Sequence, residues 1–323
     1  MRALHWDGSQ LQLREAYPEP PAQKNWVLVR VHLAGICSTD LQIFKGYMGF
    51  VGVPGHEFVG EVVAGALSLQ GKRVVGEINF ACESCEWCRR QLRRHCPNRQ
   101  VMGILNADGS FAEYLALPVA NLHEVPENVS NEAAVFTEPL AAAFEILEQV
   151  HLRPGAEVVV LGDGKLGLLS AQVLHVAGGR VTLVGKHEKK LAVLRQLGVR
   201  VVAHTNRQSH PADVVVEATG TTEGLAQAMA LVRPRGTLVL KSTVAQAHTL
   251  SLAPLVINEV TVVGSRCGPF PPALQALARG QLSVTPLIDH TYPLTEGVAA
   301  VQRAATPGVL KVLLRRLGIP FYE

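Results

Sequence analysis

No uninterrupted apolar run in this chain of 323 residues approaches the length that spans a bilayer, so a membrane-embedded protein is not expected. A strong charge of either sign is missing as well. The formal net charge is +3, too mild to imply a nucleic-acid partner, and the local cluster Arg89, Arg90, Arg93 and Arg94 reads as a solvated face. The stretch Met1 to Gly8 has no apolar core segment, so no signal peptide is expected, and the expected location is cytoplasmic. Internal repeats and low-complexity segments are lacking. Cysteines number only six, and in a reducing compartment they point to metal binding or catalysis, not disulfides. Charged residues make up 18% and hydrophobic ones 48%, the balance of a folded chain and not of a disordered one. The length is more than one core usually needs, so two domains are expected.

The hydrophobic pattern changes along the chain. Leu11 and Leu13, then Val27, Val29, Val31 and Leu33, alternate with the period of strands, and Phe58–Val63 and Arg73–Gly76 are further short strands. Tyr17–Pro21 between them is a proline loop that cannot supply sheet donors. A compact β-rich domain is expected here. After about residue 130 the spacing turns helical, through Asn131–Ala134 and Ala141–Leu147. Six β-branched runs follow: Val158–Leu161, Val181–Val184, Val199–Val202, Asp213–Val216, Thr237–Leu240 and Val260–Val263. Runs without polar alternation suit strands covered by helices on both faces, which predicts a doubly wound parallel sheet of six strands in an α/β fold. A helix is expected after Pro269–Pro272 and a closing strand over Val309–Leu314.

Cys82, Cys85, Cys88 and Cys96 form C-x2-C-x2-C-x7-C in one polar loop. Four thiolates close a tetrahedral zinc site with no open position, which is structural. A nucleic-acid zinc finger would need a recognition helix, and Pro97 directly after the last cysteine argues against one. Earlier, Cys37, His56 and Glu57 bring a thiolate, an imidazole and a carboxylate into one short stretch, the donor types of a catalytic zinc with one open position.

Gly162-Asp163-Gly164-Lys165-Leu166-Gly167 is G-x-G-x-x-G between a predicted strand and a predicted helix, the context that marks a dinucleotide loop. Gly162 allows the tight turn, Gly164 the approach of a pyrophosphate, and Gly167 close helix–strand packing. Lys165 and Leu166 open the helix beneath it. An acid at the end of the second strand would bind the ribose 2′-hydroxyl of NAD; the chain has Gly185 there, followed by Lys186, His187 and Lys190. Those groups could meet a 2′-phosphate, so NADP(H) is favoured over NAD(H), unless the lysines are only a solvated helix start.

The chain resembles the zinc-dependent medium-chain dehydrogenase/reductase superfamily, the alcohol, sorbitol and threonine dehydrogenase group. The marks are Gly35–Asp40, Gly55–Gly60, the four-cysteine lobe ending His95-Cys96-Pro97-Asn98, Glu138–Ala141, the glycine loop and Glu217-Ala218-Thr219-Gly220. The resemblance implies a GroES-like catalytic domain over 1–130 and 268–323, with the zinc lobe at 80–99, and a Rossmann domain over 131–267. It implies a homodimer or homotetramer acting on a small-molecule alcohol or its carbonyl, with two Zn²⁺ per chain. Carried over by position, Cys37 and His56 would bind the catalytic zinc. Glu138 would be the third ligand, or would hold the zinc-bound water while Glu57 coordinates. Thr39 would take the alcohol proton, Asp40 would orient His56, and Thr219 would lie at the cofactor.

Departures from the family also matter. Gln42 stands where a histidine often completes the proton relay, and it cannot accept and release a proton in the same way. The short loop Lys45–Phe50 and Pro269–Pro272 would shape the substrate cleft. Cys267 is expected as a buried inert thiol or near the nicotinamide. Lys311 is expected on a cofactor phosphate or as a surface charge. The expected function is an NADP(H)-preferring alcohol or polyol dehydrogenase. The alternatives are an NAD(H)-dependent polyol or threonine-type enzyme, or a zinc protein that binds nucleotide as a redox sensor without turnover.

Overall fold

The computed structural model describes residues 1–203, 211–242 and 250–316. The chain forms two compact units, Met1–Glu138 with the segment from Ile288 onward, and Pro139–Leu287. The boundaries expected from sequence lie earlier, after 130 and after 267. The Arg73 guanidinium donates to the carbonyls of Pro126 and Val129 and to the Asn131 side chain, which ties the start of the helical stretch to the first unit. Gln172 exchanges two hydrogen bonds with the Ser283 backbone and holds the chain beyond the last helix in the second. Segments 204–210 and 243–249 of the expected second domain, and 317–323 of the first, lie outside the described residues.

In the first unit, β1 (Ala3–Trp6) and β2 (Leu11–Arg14) form a hairpin. β3 (Trp26–Ile36) buries Val27, Val29, Val31 and Leu33 on one face, the alternation its sequence predicts. It runs into Cys37, the extended residue that starts α1 (Ser38–Ile43). β4 (Glu57–Ala64) and β5 (Arg73–Gly76) follow. The cysteine loop with α2 (Glu86–Arg89) sits beside a small sheet of β6 (Asn79–Phe80), β7 (Gln100–Met102) and β8 (Asn106–Ala107). Next come β9 (Tyr114–Pro118), β10 (Leu122–Glu124) and α3 (Asn131–Ala134), whose first turn is capped by the Ser130 hydroxyl accepting from Ala133 N–H at 3.2 Å. The helix α4 (Thr137–Gln149) carries the chain into the second unit.

There the order is β11 (Glu157–Leu161), α5 (Lys165–Val176), β12 (Arg180–Val184), α6 (Glu188–Gln196), β13 (Arg200–Val202), β14 (Ala212–Glu217), α7 (Thr222–Leu231), β15 (Val232–Leu240), α8 (Ala253–Ile257), β16 (Thr261–Gly264) and α9 (Phe270–Ala278). The six strands are parallel, in the order β13-β12-β11-β14-β15-β16, which is the doubly wound sheet the apolar runs predict. β15 starts well before its apolar run, because Arg233-Pro234-Arg235 is absorbed where the register shifts against β14, as an irregular ladder permits.

The first unit resumes with β17 (Ile288–Pro293), α10 (Gly297–Ala304) and β18 (Lys311–Arg315). Its large sheet runs β10-β5-β4-β3-β18-β17, with β9 also on β3. Register positions the site: Gly35 of β3 faces Glu57 of β4 on one side and Leu313 of β18 on the other. Cys37, Glu57 and Lys311 therefore gather at one end of three adjacent strands. Gly35 is needed there, since a Cβ on it would lie 3.3 Å from the Glu57 Cβ and far inside contact distance of its carboxylate. Among the described residues no helix is long and apolar enough to cross a membrane.

Candidate metal and dinucleotide sites

The donor atoms of Cys37, His56 and Glu57 lie within 4.8 Å of one another in the first unit. Asp40 braces two of the three. Its Oδ2 accepts the Cys37 N–H at 2.7 Å, and its Oδ1 faces His56 Nδ1 at 3.3 Å. Asp40 is fully buried and His56 nearly so. Burial works against charge on the imidazole, but the Asp40 carboxylate outweighs it and holds the His56 pKa well above its ordinary value. With Nδ1 turned to Asp40, Nε2 is the atom His56 can offer a metal. Thr39 Oγ1 lies 3.8 Å from Cys37 Sγ. Gln42 is exposed on α1.

Glu57 is buried with its two oxygens in different surroundings. Oε2 accepts from Lys311 Nζ, while Oε1 has no hydrogen-bond partner among the described residues. A buried, unpartnered carboxylate oxygen beside a thiol and an imidazole is what a cation would satisfy, so this donor set fits zinc. Lys311 corrects the sequence expectation. It is neither a surface charge nor turned to a cofactor phosphate: it is fully buried, against Glu57 and 5.5 Å from the Phe136 ring centroid. Burial disfavours its charge, and Glu57 and then Cys37 more than restore it, so its pKa is raised. Glu138, in the first turn of α4, is half-buried and lies outside the close trio; it adds to the field on Lys311.

The four lobe cysteines converge as their spacing predicts. Sγ–Sγ separations are 3.5 Å for Cys85–Cys88, 3.7 Å for Cys85–Cys96 and 3.5 Å for Cys82–Cys96. A tetrahedron of sulfurs about 2.3 Å from zinc has edges of about 3.8 Å, so the residues fit the ion. The sulfurs cannot all ionise together without a cation. The Ser84 N–H and hydroxyl bring Cys82 down to about 5, whereas burial and the neighbouring sulfurs push Cys88 up to about 12. Of the surrounding arginines, Arg90 is exposed and pairs with Glu86 at 2.7 Å, as a solvated face requires, whereas Arg93, paired with Glu83 at 2.5 Å, and Arg94, 3.7 Å from Glu77, are half-buried.

The glycine loop joins β11 to α5 in the second unit. Gly162 has φ 110°, and a Cβ there would lie 2.5 Å from the Ala218 carbonyl oxygen, so only glycine fits. Gly164 starts α5, and a Cβ on it would meet nothing within 4 Å. That open approach to a helix N-terminus fits a pyrophosphate. Lys165 and Leu166 are half-buried in the first turn, and Gly167 is buried against Gly162. Thr219 is committed within its own turn: its hydroxyl donates to Glu217 Oε1 at 2.6 Å and accepts from Thr221 N–H at 3.1 Å.

At the tip of β12 the three basic residues separate. Lys186 and His187 are exposed, but the His187 ring is turned to Asp163, and Lys190 is buried on α6. Sequence reasoning missed Asp163. Its signal was available, an acid inside the glycine loop opposite a glycine at the strand tip. Cys267 is half-buried between β16 and α9.

Comparison with known proteins covers most of the chain. Residues 23–127 match the alcohol dehydrogenase GroES-like domain, and 166–279 match the zinc-binding dehydrogenase family. Sorbitol dehydrogenase of Halalkalibacterium halodurans is 30% identical, over 92% of this chain and 93% of that protein. A zinc-binding dehydrogenase from Sinorhizobium meliloti 1021 bound to NADP superposes with TM-score 0.89 at 26% identity, covering 97% of this chain and 98% of that one. A short chain alcohol dehydrogenase from E. coli CFT073 complexed with NADH gives TM-score 0.89 at 25% identity, covering 98% and 99%.

Proposed function

We propose, because the chain belongs to the zinc-dependent medium-chain dehydrogenase family, that this oxidoreductase interconverts a small alcohol or polyol and its carbonyl, with a nicotinamide dinucleotide as hydride partner. The observation that carries the reading is the trio Cys37, His56 and Glu57 with Thr39 beside it. The polyol class is drawn from the sorbitol dehydrogenase likeness. Cys37 and His56 would hold one zinc with a carboxylate from Glu57 or Glu138, and the four lobe cysteines a second. When bound, zinc supplies Lewis-acid polarisation of the substrate oxygen, and the dinucleotide supplies the hydride acceptor or donor.

The chain's own groups do the rest. Asp40 is a positioning residue: one carboxylate fixes both the Cys37 backbone and the His56 ring. Thr39 Oγ1 takes the substrate hydroxyl proton. Gln42 cannot relay it onward as an imidazole would, so release from Thr39 passes through water. The α5 N-terminus and Gly164 receive the pyrophosphate. The open edge of β16 supports assembly as a homodimer.

The test combines metal analysis with turnover. The wild type is expected to carry about two zinc per chain and to reduce a nicotinamide cofactor with at least one member of an alcohol and polyol panel. His56→Ala should lose one zinc and turnover with the fold retained. A wild-type zinc count of one, unchanged by His56→Ala, would remove the catalytic site.

A further inference from the structure

The tip of β12 lacks an acid of its own, yet a carboxylate stands there. Asp163, the second residue of the glycine loop, crosses from the end of β11. Its Oδ2 accepts the backbone N–H groups of Lys186 at 2.6 Å and His187 at 2.7 Å. The His187 Nδ1 lies 2.9 Å from Oδ2 and 3.1 Å from Oδ1. A Cβ on Gly185 would sit 2.5 Å from the Asp163 Cβ and 2.8 Å from Oδ2. A side chain at 185 and the Asp163 carboxylate would thus compete for one space, and glycine at 185 is what admits the aspartate.

A dinucleotide on a sheet of this order lies across the carboxyl ends of the strands, with its adenosine ribose at the tip of the second. We infer that Asp163 takes the place of the missing strand-end acid, reads the ribose 2′ position and selects NAD(H) over NADP(H). The inference rests on the nicotinamide-dinucleotide reading above. Two features carry it. Oδ2 is saturated by three donors, but among the described residues Oδ1 has only the one contact at 3.1 Å and keeps lone-pair capacity for a 2′-hydroxyl. Equally, the backbone N–H groups of Lys186 and His187, which a phosphate could use, are already occupied by an anion. Burial disfavours that anion, but the His187 N–H and ring and the Lys186 N–H outweigh it and hold the Asp163 pKa below its ordinary value. A phosphate dianion would therefore meet a fixed like charge. The basic groups that favoured NADP(H) from sequence are reduced: the His187 ring is engaged by Asp163 and Lys190 is buried, leaving exposed Lys186.

Calorimetric titration of the purified chain with ADP-ribose and with its 2′-phosphate measures this without turnover. The wild type should bind ADP-ribose about tenfold tighter or more, and Asp163→Asn, which keeps the shape and removes the charge, should narrow that ratio by about tenfold. The ratio of kcat/KM for NAD and NADP should move the same way. A wild type preferring the 2′-phosphate overturns the inference. So does an Asp163→Asn variant in which both ligands weaken in parallel, since a merely structural carboxylate would do that. Binding of neither ligand to the wild type would bring down the dinucleotide reading itself.

Discussion

Lys311 is charged in a place where water cannot reach it, and only its neighbours make that tolerable. Glu57 Oε2 accepts a hydrogen bond from its ammonium, Cys37 and Glu138 add to the field, and the Phe136 ring faces the ammonium at 5.5 Å from its centroid. Removing one member of such a buried pair strands the other. Lys311→Met is expected to cost roughly 3 kcal/mol or more, read as a lowered urea midpoint with unchanged slope. A loss under about 1 kcal/mol would mean that Glu57 is neutralised by another group. The strand that carries Lys311 was legible from its apolar run, but its partner was not, because Glu57 lies 254 positions away and periodicity says nothing about what faces a residue across a sheet. Asp163 was hidden for a related reason. Its type and position were in plain view, yet its meaning depends on the space left by Gly185 just past the next strand. Cys37, His56 and Glu57 were readable because the β3–β4 register brings together residues already close in sequence.

Among the elements, the parallel strands were the most legible, since burial on both faces demands continuous apolar runs. The ladder irregularity at Arg233–Arg235 was not, because a proline there argues against a strand until its neighbours are known. The same irregular end holds a charge cluster linking three strands. Asp213 accepts from Arg233 Nε at 2.7 Å and from the Glu157 N–H at 2.8 Å. The Arg233 hydrogen bond is the main reason its pKa is lowered from 3.8. A depressed carboxylate stabilises the fold above its unfolded pKa, and that contribution is lost as pH falls through the folded value. With both side chains about a third exposed, Asp213→Ala should cost about 1 kcal/mol or less near pH 7. The gap from wild type should shrink as pH is taken toward about 3. A gap in urea midpoint that stays constant over that range would assign the effect to packing instead. The cysteine lobe makes a sharper test. Its sulfurs already lie at tetrahedral spacing, and between Ala81 and Arg99 the buried apolar residues are Cys88 and Cys96 themselves. Cys96→Ser should lower the zinc count from about two to about one and make the 80–99 loop the first site of proteolytic cutting. Retention of both ions in that variant would show that the loop holds metal by other groups.

At the scale of the molecule, the described surface is least at ease beside β16. That strand closes the parallel sheet on one side, paired among the described residues only to β15 in the ladder, and three of its four residues are exposed. Val262 is 43% exposed on it, and Leu252, Val256 and Ile257, around the short helix α8 just before it, are 61%, 76% and 77% exposed. Natural proteins shield sheet edges with charge, proline or a covering element, and β16, reading Thr261-Val262-Val263-Gly264, carries neither charge nor proline. Exposed apolar side chains on and just before a strand that, among the described residues, pairs on one side suit a second copy of the same strand, since two-fold pairing buries both edges with one self-complementary patch. The homodimer proposed above is therefore expected to be held at this edge. Ile257→Asp combined with Val262→Lys should convert it to a monomer by light scattering, because each copy would place charge against its twin. Zinc content should not change, since neither residue is itself a candidate ligand. If the double variant keeps the wild-type mass in solution, the edge is shielded in another way and the contact between copies lies elsewhere.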